Sequence, residues 1–447
     1  MGFLSKRAFA IGLTLMVSLS ATVIADEPSV SKLPDPLTLE YALSLADEAH
    51  PELLLKDAEI LSAEARRKNI EATGGVNVDL DFSVFATDED SQRNAWRRDH
   101  ARAGLIVSST FYDFGHTDSL LSGADELRYS RELAYHDTRG QRRLEIMAAY
   151  FDVLLADLKF SLYNEAMAVG YVNFDKAKDR RELGQRTDLE VTRREAEYQK
   201  LRVLRYQSEN KQRETRATLA EVLNRPGQLP ANLAIPQLDA VNRKLADIDD
   251  LQKQALEKNF HVNALRHEVI AAESDLAAAR QSDGPKLKGR VEAYGFESEQ
   301  GSSDEVRAEL SLIYNLHKPE RDGDVAAELS RWYAARAQLQ KAESDLRQET
   351  LKTWHHVEEL KAQRDEAEVL LVLRELQLEK SRALYEMEVK ADLGYSMSAL
   401  TEAQLKSAKT DYQLALAWFK LDLLTANVVL DLKHRTKQPE ENLRGEQ

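Results

Sequence analysis

From Val76 to Ala86 the chain reads V-N-V-D-L-D-F-S-V-F-A. Val76, Val78, Leu80, Phe82, Val84 and Ala86 share one parity, and Asn77, Asp79, Asp81 and Ser83 share the other, with Phe85 the one apolar intruder. Strand side chains alternate with period two, so this stretch has one apolar wall and one wet, acidic wall. Its length is about what a tilted strand needs to cross a bilayer. A half-buried strand in a soluble sheet carries the same pattern. What lies around it decides between the two.

The helical segments on either side are too polar to enter lipid. No stretch after the amino terminus reaches the roughly 20 apolar residues a membrane-spanning helix requires. Residues 1–25 read as a signal peptide: Lys6 and Arg7, a short apolar run from Ala8 to Leu19, and Val23-Ile24-Ala25 before a cut at Asp26. Its removal takes two positive charges from a chain of 447 residues, moving the net charge from −15 to −17. A surface that acidic argues against a nucleic-acid partner. With no cysteine, disulfides, thiolate metal sites and a lipid-modified amino-terminal cysteine are excluded.

In chain order, Thr38 reads as the N-cap of a helix running to Thr73, interrupted at His50-Pro51 and ended by Gly74-Gly75. A second alternating strand follows from Ala103 to Tyr112, after a charged stretch from Thr87 to His100, so the pair reads as a hairpin. About 67 helical residues come next, with Leu144, Ala148, Phe151, Leu155, Leu158, Leu162, Val169 and Val172 at 4-3 spacing and Glu165 the polar member. The pattern breaks at Leu183-Gly184 and resumes to Asn224. The order then repeats: a helix from Asp249 to Gln281, strands at Leu287–Phe296 and Val306–Tyr314, a long helix to Glu388, a turn around Gly394 and a last helix from Ser398 to Lys433.

This divides the chain into a first repeat at 26–225 with strands about 76–87 and 102–114, and a linker at 226–247. A second repeat follows at 248–434, with strands about 286–297 and 305–316, and a polar tail at 435–447. Val78, Leu80, Phe82, Leu105, Val107, Val291, Leu310 and Leu312 form the expected lipid-facing set. Four strands cannot close a membrane barrel, and open sheet edges cannot face lipid. If the strands are membranous, several chains share one barrel. A soluble periplasmic coiled-coil scaffold or adaptor whose hairpins form an ordinary sheet is the alternative.

Several segments resemble the TolC-like outer-membrane efflux proteins. Leu37-Thr38-Leu39-Glu40-Tyr41-Ala42-Leu43 and His50-Pro51-Glu52-Leu53 resemble the opening helix of that family, and Thr110-Phe111-Tyr112-Asp113-Phe114-Gly115 its strand exit. Ala149-Tyr150-Phe151-Asp152-Val153-Leu154 and Gly184 with Thr187-Asp188-Leu189 and Ala196 resemble its first coiled-coil arm; Ser398-Ala399-Leu400 with Ala403 resembles the second. The resemblance implies a mainly α fold of two helix–hairpin–long helix–turn–helix repeats. It implies a homotrimer whose four strands per chain make a twelve-stranded barrel in outer-membrane lipid, above a long coiled-coil α-barrel in the periplasm. A periplasmic adaptor (membrane fusion) protein and an inner-membrane pump or ABC exporter are the implied partners. The implied function is a passive duct for efflux or type I secretion, not an enzyme.

The same resemblance places a closing gate at the periplasmic helix-turn tips, with Thr187, Asp188, Lys390, Asp392, Tyr395, Ser398 and Glu402 as candidates. Ser398 and Thr401 stand where the family often has acids. No cofactor is implied. His355 and Glu359 are one helical turn apart but lack the HExxH pattern, and no phosphate loop or G-x-S-x-G is present.

Overall fold

The hydroxyl of Thr38 accepts from the backbone N–H of Tyr41 at 3.3 Å, as its N-cap role requires. In this computed structural model, which describes residues 32–89, 96–238, 243–298, 301–317, 319–387 and 392–427, it opens helix α1 (Leu39–Ser44). A 3-10 turn (Leu45–Asp47) leads to α2 (Pro51–Thr73), which His50 caps through its ring nitrogen and Pro51 starts. The signal peptide, Lys390 and the tail lie outside the described residues.

The remaining order is β1 (Val76–Glu89), β2 (Trp96–Tyr112), α3 (His116–Glu182), α4 (Asp188–Val222), α5 (Ile248–Lys258), α6 (Phe260–Gln281), β3 (Lys286–Ser298), β4 (Gly301–Ile313), α7 (Arg321–Glu386) and α8 (Leu393–Leu424). The strands form one antiparallel sheet in the order β1-β2-β3-β4. Helix α3 contacts α2 and α6 along its sheet-proximal half and α4 and α8 along the rest; α7 contacts α6 and α8 beyond them. The chain is therefore a wall four elements wide along its length. It reads α4-α3-α8-α7 near the tip, α2-α3-α6-α7 in the middle and β1-β2-β3-β4 at the end, with α2 and α6 leading into strands and α3 and α7 leaving them.

That arrangement buries more of α3 than its sequence pattern indicates. The 4-3 stripe of α3 marks one contact side only, yet Ile146, Met147, Ala149, Tyr150, Phe151, Val153, Leu154 and Ala156 are all buried because α1, α4 and α8 surround this segment. Phe151 stacks on Tyr412 of α8 with ring centroids 4.5 Å apart. The Tyr150 hydroxyl donates within reach of the Leu37 and Ala234 carbonyls, at 2.8 and 2.5 Å. It fastens the parallel bridge between Leu37 and Leu233, and burial pushes its phenol up to about 12.

Several boundaries differ from expectation. The helix read as Asp249–Gln281 is two helices, broken where Asn259 caps α6 by accepting from Val262 N–H at 3.1 Å. Asparagine satisfies the orphan donors of a helix start, so it ends one helix and begins another without glycine or proline. The last helix runs from Leu393, capped by Asp392, to Leu424, so Gly394 lies in its first turn and not in the loop. It stops before the expected Lys433, and just past its end Ala426 takes a left-handed φ of +51°. All four strands also run further into the charged stretches than their hydrophobic alternation shows.

Candidate functional site

The sheet register aligns Val78, Val107, Val291 and Ala308 in one cross-strand row and Leu80, Leu105, Ala293 and Val306 in the next. Val76, Ser109, Gly289 and Leu310 form a third, and Leu312 sits opposite Leu287. Because side chains in a row share a face, all eight strand residues picked from the sequence lie on the same one. Most of that face is bare: Leu80 is 81% and Leu310 68% exposed. Phe111, Tyr112, Phe114 and Tyr314 surround its helix-proximal end, also exposed.

The opposite face is ionic. Arg102 pairs with Asp81 at 2.6 Å and lies over the Tyr294 ring, 4.5 Å from its centroid. Tyr294 in turn covers Gly104, where even a methyl group would stand about 2 Å from the ring. Glycine at that position is what lets the ring lie flat on the sheet. Arg290 pairs with Glu292 and Arg307 with Glu305 on the same face. The outer strands β1 and β4 each pair on one side only among the described residues, leaving two rows of backbone donors and acceptors open.

At the other end of the wall, Gly184 takes the left-handed φ of +73° that turns α3 into α4. Thr187 and Glu190 form a reciprocal capping box, so the Thr187 hydroxyl is engaged by its own helix start. Asp188 pairs with Arg181 of the same hairpin at 2.5 Å, both well exposed. Asp392 and Glu190 line a cavity of about 430 Å³ with Lys176, Arg180, Arg186 and Arg194. The fold thus brings Asp392 to the first tip. Tyr395 and Glu402 are exposed on α8, and the Ser398 hydroxyl is buried with no hydrogen-bond partner among the described residues.

Sequence reasoning missed the basic half of this tip. The run Lys176 to Arg186 carries Lys176, Lys178, Arg180, Arg181 and Arg186 in an acidic chain, and that local excess was the available signal. The structure also accounts for Glu165 in the seam: it accepts from the Thr401 hydroxyl of α8 at 2.8 Å. Nearby, Gly394 lets α8 approach Val169, where a Cβ would meet a methyl at 2.7 Å. His355 and His356 are exposed on α7, and no group of three or more metal-binding side chains occurs among the described residues.

Two junctions sit between sheet and tip, where α4 ends against the start of α2 and α8 ends against the start of α6. At the first, the Asn224 amide donates to Ala49 O at 3.1 Å; at the second, the Asn259 amide donates to Leu424 O at 3.1 Å.

No family model and no curated protein matches the chain. Solved structures do. The outer membrane channel CmeC of Campylobacter jejuni superimposes with a TM-score of 0.72 at 13% identity, over 87% of this chain and 85% of that one. The outer membrane protein VceC of Vibrio cholerae gives 0.68 at 15%, over 87% and 95%. The open MtrE outer membrane channel of Neisseria gonorrhoeae gives 0.68 at 15%, over 87% and 88%. The chain has the fold of these outer-membrane channels, as its resemblance to the TolC-like proteins implied.

Proposed function

We propose that the chain is the outer-membrane duct of a tripartite efflux or type I secretion system. Three copies close a twelve-stranded barrel in outer-membrane lipid, and their helical walls form a tunnel through the periplasm. The observation that carries this reading is the sheet: one face is bare and apolar, the other ionic, and both edges are open among the described residues. One copy cannot satisfy such edges in hydrocarbon, where each unpaired backbone group costs several kcal/mol. Joining β1 of one copy to β4 of the next satisfies them and puts the ion pairs in the lumen. The CmeC and MtrE structures are described as outer membrane channels, which supports the same role here.

The tips would meet a periplasmic adaptor and the inner-membrane pump or ABC exporter that drives transport, since the duct is passive. The tip residues Thr187, Asp188, Asp392, Tyr395, Ser398 and Glu402 are then gate candidates. Asp188 acts by fixing the shape of its own hairpin through Arg181, an exposed pair contributing about 0–1 kcal/mol. Conductance of Asp188→Ala in planar bilayers is expected to exceed that of the parent in its closed state; an unchanged closed state removes Asp188 from the gate.

The deciding experiment is Leu310→Arg. A cation on the apolar face costs about 2–4 kcal/mol per chain at the bilayer midplane and less toward the helix-proximal end where Leu310 lies, and should lower the yield of detergent-stable trimer. Normal trimer yield, or a mature chain that is monomeric and dissolved without detergent, overturns the reading in favour of a soluble periplasmic scaffold.

A further inference from the structure

The α8–α6 junction leaves a cavity of about 650 Å³, open to solvent on a face of the wall between α3 and α7, away from its outer sheet edges. That is within the range of small-molecule sites, about 300–1,000 Å³. Its lining divides by chemistry. Val262 and Leu346, both buried, give it apolar walls together with Leu265 and Leu424. Asp137 enters from α3, and Asp345 from α7 at the solvent side. Glu349 also lines it but is engaged by Lys420. Lys341 is the lysine in the lining, and His261 also lines it.

Asp137 makes no hydrogen bond among the described residues. Burial, the largest influence, holds its carboxyl above the usual aspartate range, while His261 and Lys56 act to lower it. A desolvated carboxylate that lines an open cavity gains from a cation entering it, beyond what Lys56 supplies. At the corresponding α4–α2 junction that space is taken by the protein's own cations: Arg142, 2% exposed, with Arg143 and Arg225 around it. The second junction has the carboxylates without the guanidinium groups.

We propose that this cavity binds a small organic cation with an apolar body, its charge held by Asp137 and Asp345 and its hydrocarbon against Val262 and Leu346. The residues that line it all come from one chain and lie apart from the tip.

Ethidium is a suitable probe. The mature protein in a neutral maltoside detergent is titrated by fluorescence anisotropy, with empty micelles subtracted. Saturable binding of one ethidium per chain is expected, weakened at least tenfold in Asp137→Asn and several-fold in Asp345→Asn. Ala342→Trp, which fills the cavity, should abolish it, and Arg347→Ala on the same helix should leave it unchanged. Absence of saturable binding to the parent protein overturns the proposal. So does equal affinity in the parent and Asp137→Asn. If Ala342→Trp fails to assemble by size-exclusion chromatography, the two near-isosteric Asn variants decide between these outcomes by themselves.

Discussion

At the α4–α2 junction, Arg139 and Arg143 both reach Asp47, at 2.6 and 2.9 Å, and Arg225 pairs with Glu48. Arg142 lies beneath them, 4.0 Å from Glu52 and 3.4 Å from the Val222 carbonyl at the end of α4. At the α8–α6 junction a single asparagine, Asn259, caps one helix and holds the other's last carbonyl, and beside it is an open cavity. Both junctions solve the same backbone problem, joining the negative end of one helix to the positive end of the next. The first adds cations at the carbonyl end and is filled. The second keeps carboxylates beside a void. A repeated architecture therefore fixes how the helices abut, while the side chains at the two joints are free to diverge, one toward rigidity and the other toward a recess.

The largest test of that contrast is Arg142→Ala. It removes a large side chain that is 2% exposed from beneath these ion pairs, and should cost about 2–3 kcal/mol, chiefly through lost packing. Arg142→Met keeps most of the volume and should lose distinctly less. Both are read as shifts in the apparent melting temperature at one scan rate in detergent. Equal, negligible losses would show that the first junction does not depend on its buried guanidinium. Asn259→Ala should cost less, about 1–2 kcal/mol, because a cap and one inter-helix hydrogen bond disappear together. Hydrogen exchange should then accelerate in the first turn of α6 while the start of α2 stays protected.

Much of this was legible in the chain. The strand alternation placed eight residues on one face because period two is insensitive to what surrounds the strand. The repeat order followed from glycine turns and hydrophobic spacing. The burial of α3 around Tyr150 was not, since periodicity reports one neighbour and this helix has several. Neither was the break at Asn259, a residue whose capping role is invisible until Val262 N–H and Leu424 O come within reach. At the tip, resemblance points to Thr187 and Asp188, but their engagement by Glu190 and Arg181 follows from the geometry of the hairpin turn, which residue type alone does not carry. The strand ends were underestimated because ladder hydrogen bonds continue where the side chains have become polar.

A smaller effect separates the junctions by pH. The Asp137 carboxyl is raised in the fold above the ordinary 3.8, first by burial, against the opposing influence of His261 on α6 and Lys56 on α2. Lys341, Asp345 and Glu349 face the same cavity from α7. Between the ordinary and the raised value the folded chain holds a proton that the unfolded chain has lost. Stability from this group is therefore present below 3.8 and is lost as pH rises through the raised value. Asp137→Asn removes that loss, so its advantage in melting temperature over the parent should be larger at pH 7 than at pH 4. A gap that is constant with pH would mean the carboxyl is not desolvated in solution.

The smallest expected effect is also the sharpest control. Counting from His116 and from Arg321, Arg142 and Arg347 each occupy the twenty-seventh position of their long helix. Arg142 is buried at a junction; Arg347 is exposed, and the contact at its position is made by its backbone carbonyl, which accepts from Gln252 of α5 at 3.1 Å. Truncating its side chain leaves that bond intact, so Arg347→Ala should change stability by no more than about 0.5 kcal/mol. The same residue type at the same helical position would then differ severalfold in its contribution, with burial at the α4–α2 joint as the cause. A loss in Arg347→Ala comparable to that in Arg142→Ala would show instead that the position matters in both repeats, and that the second junction is held by its arginine after all.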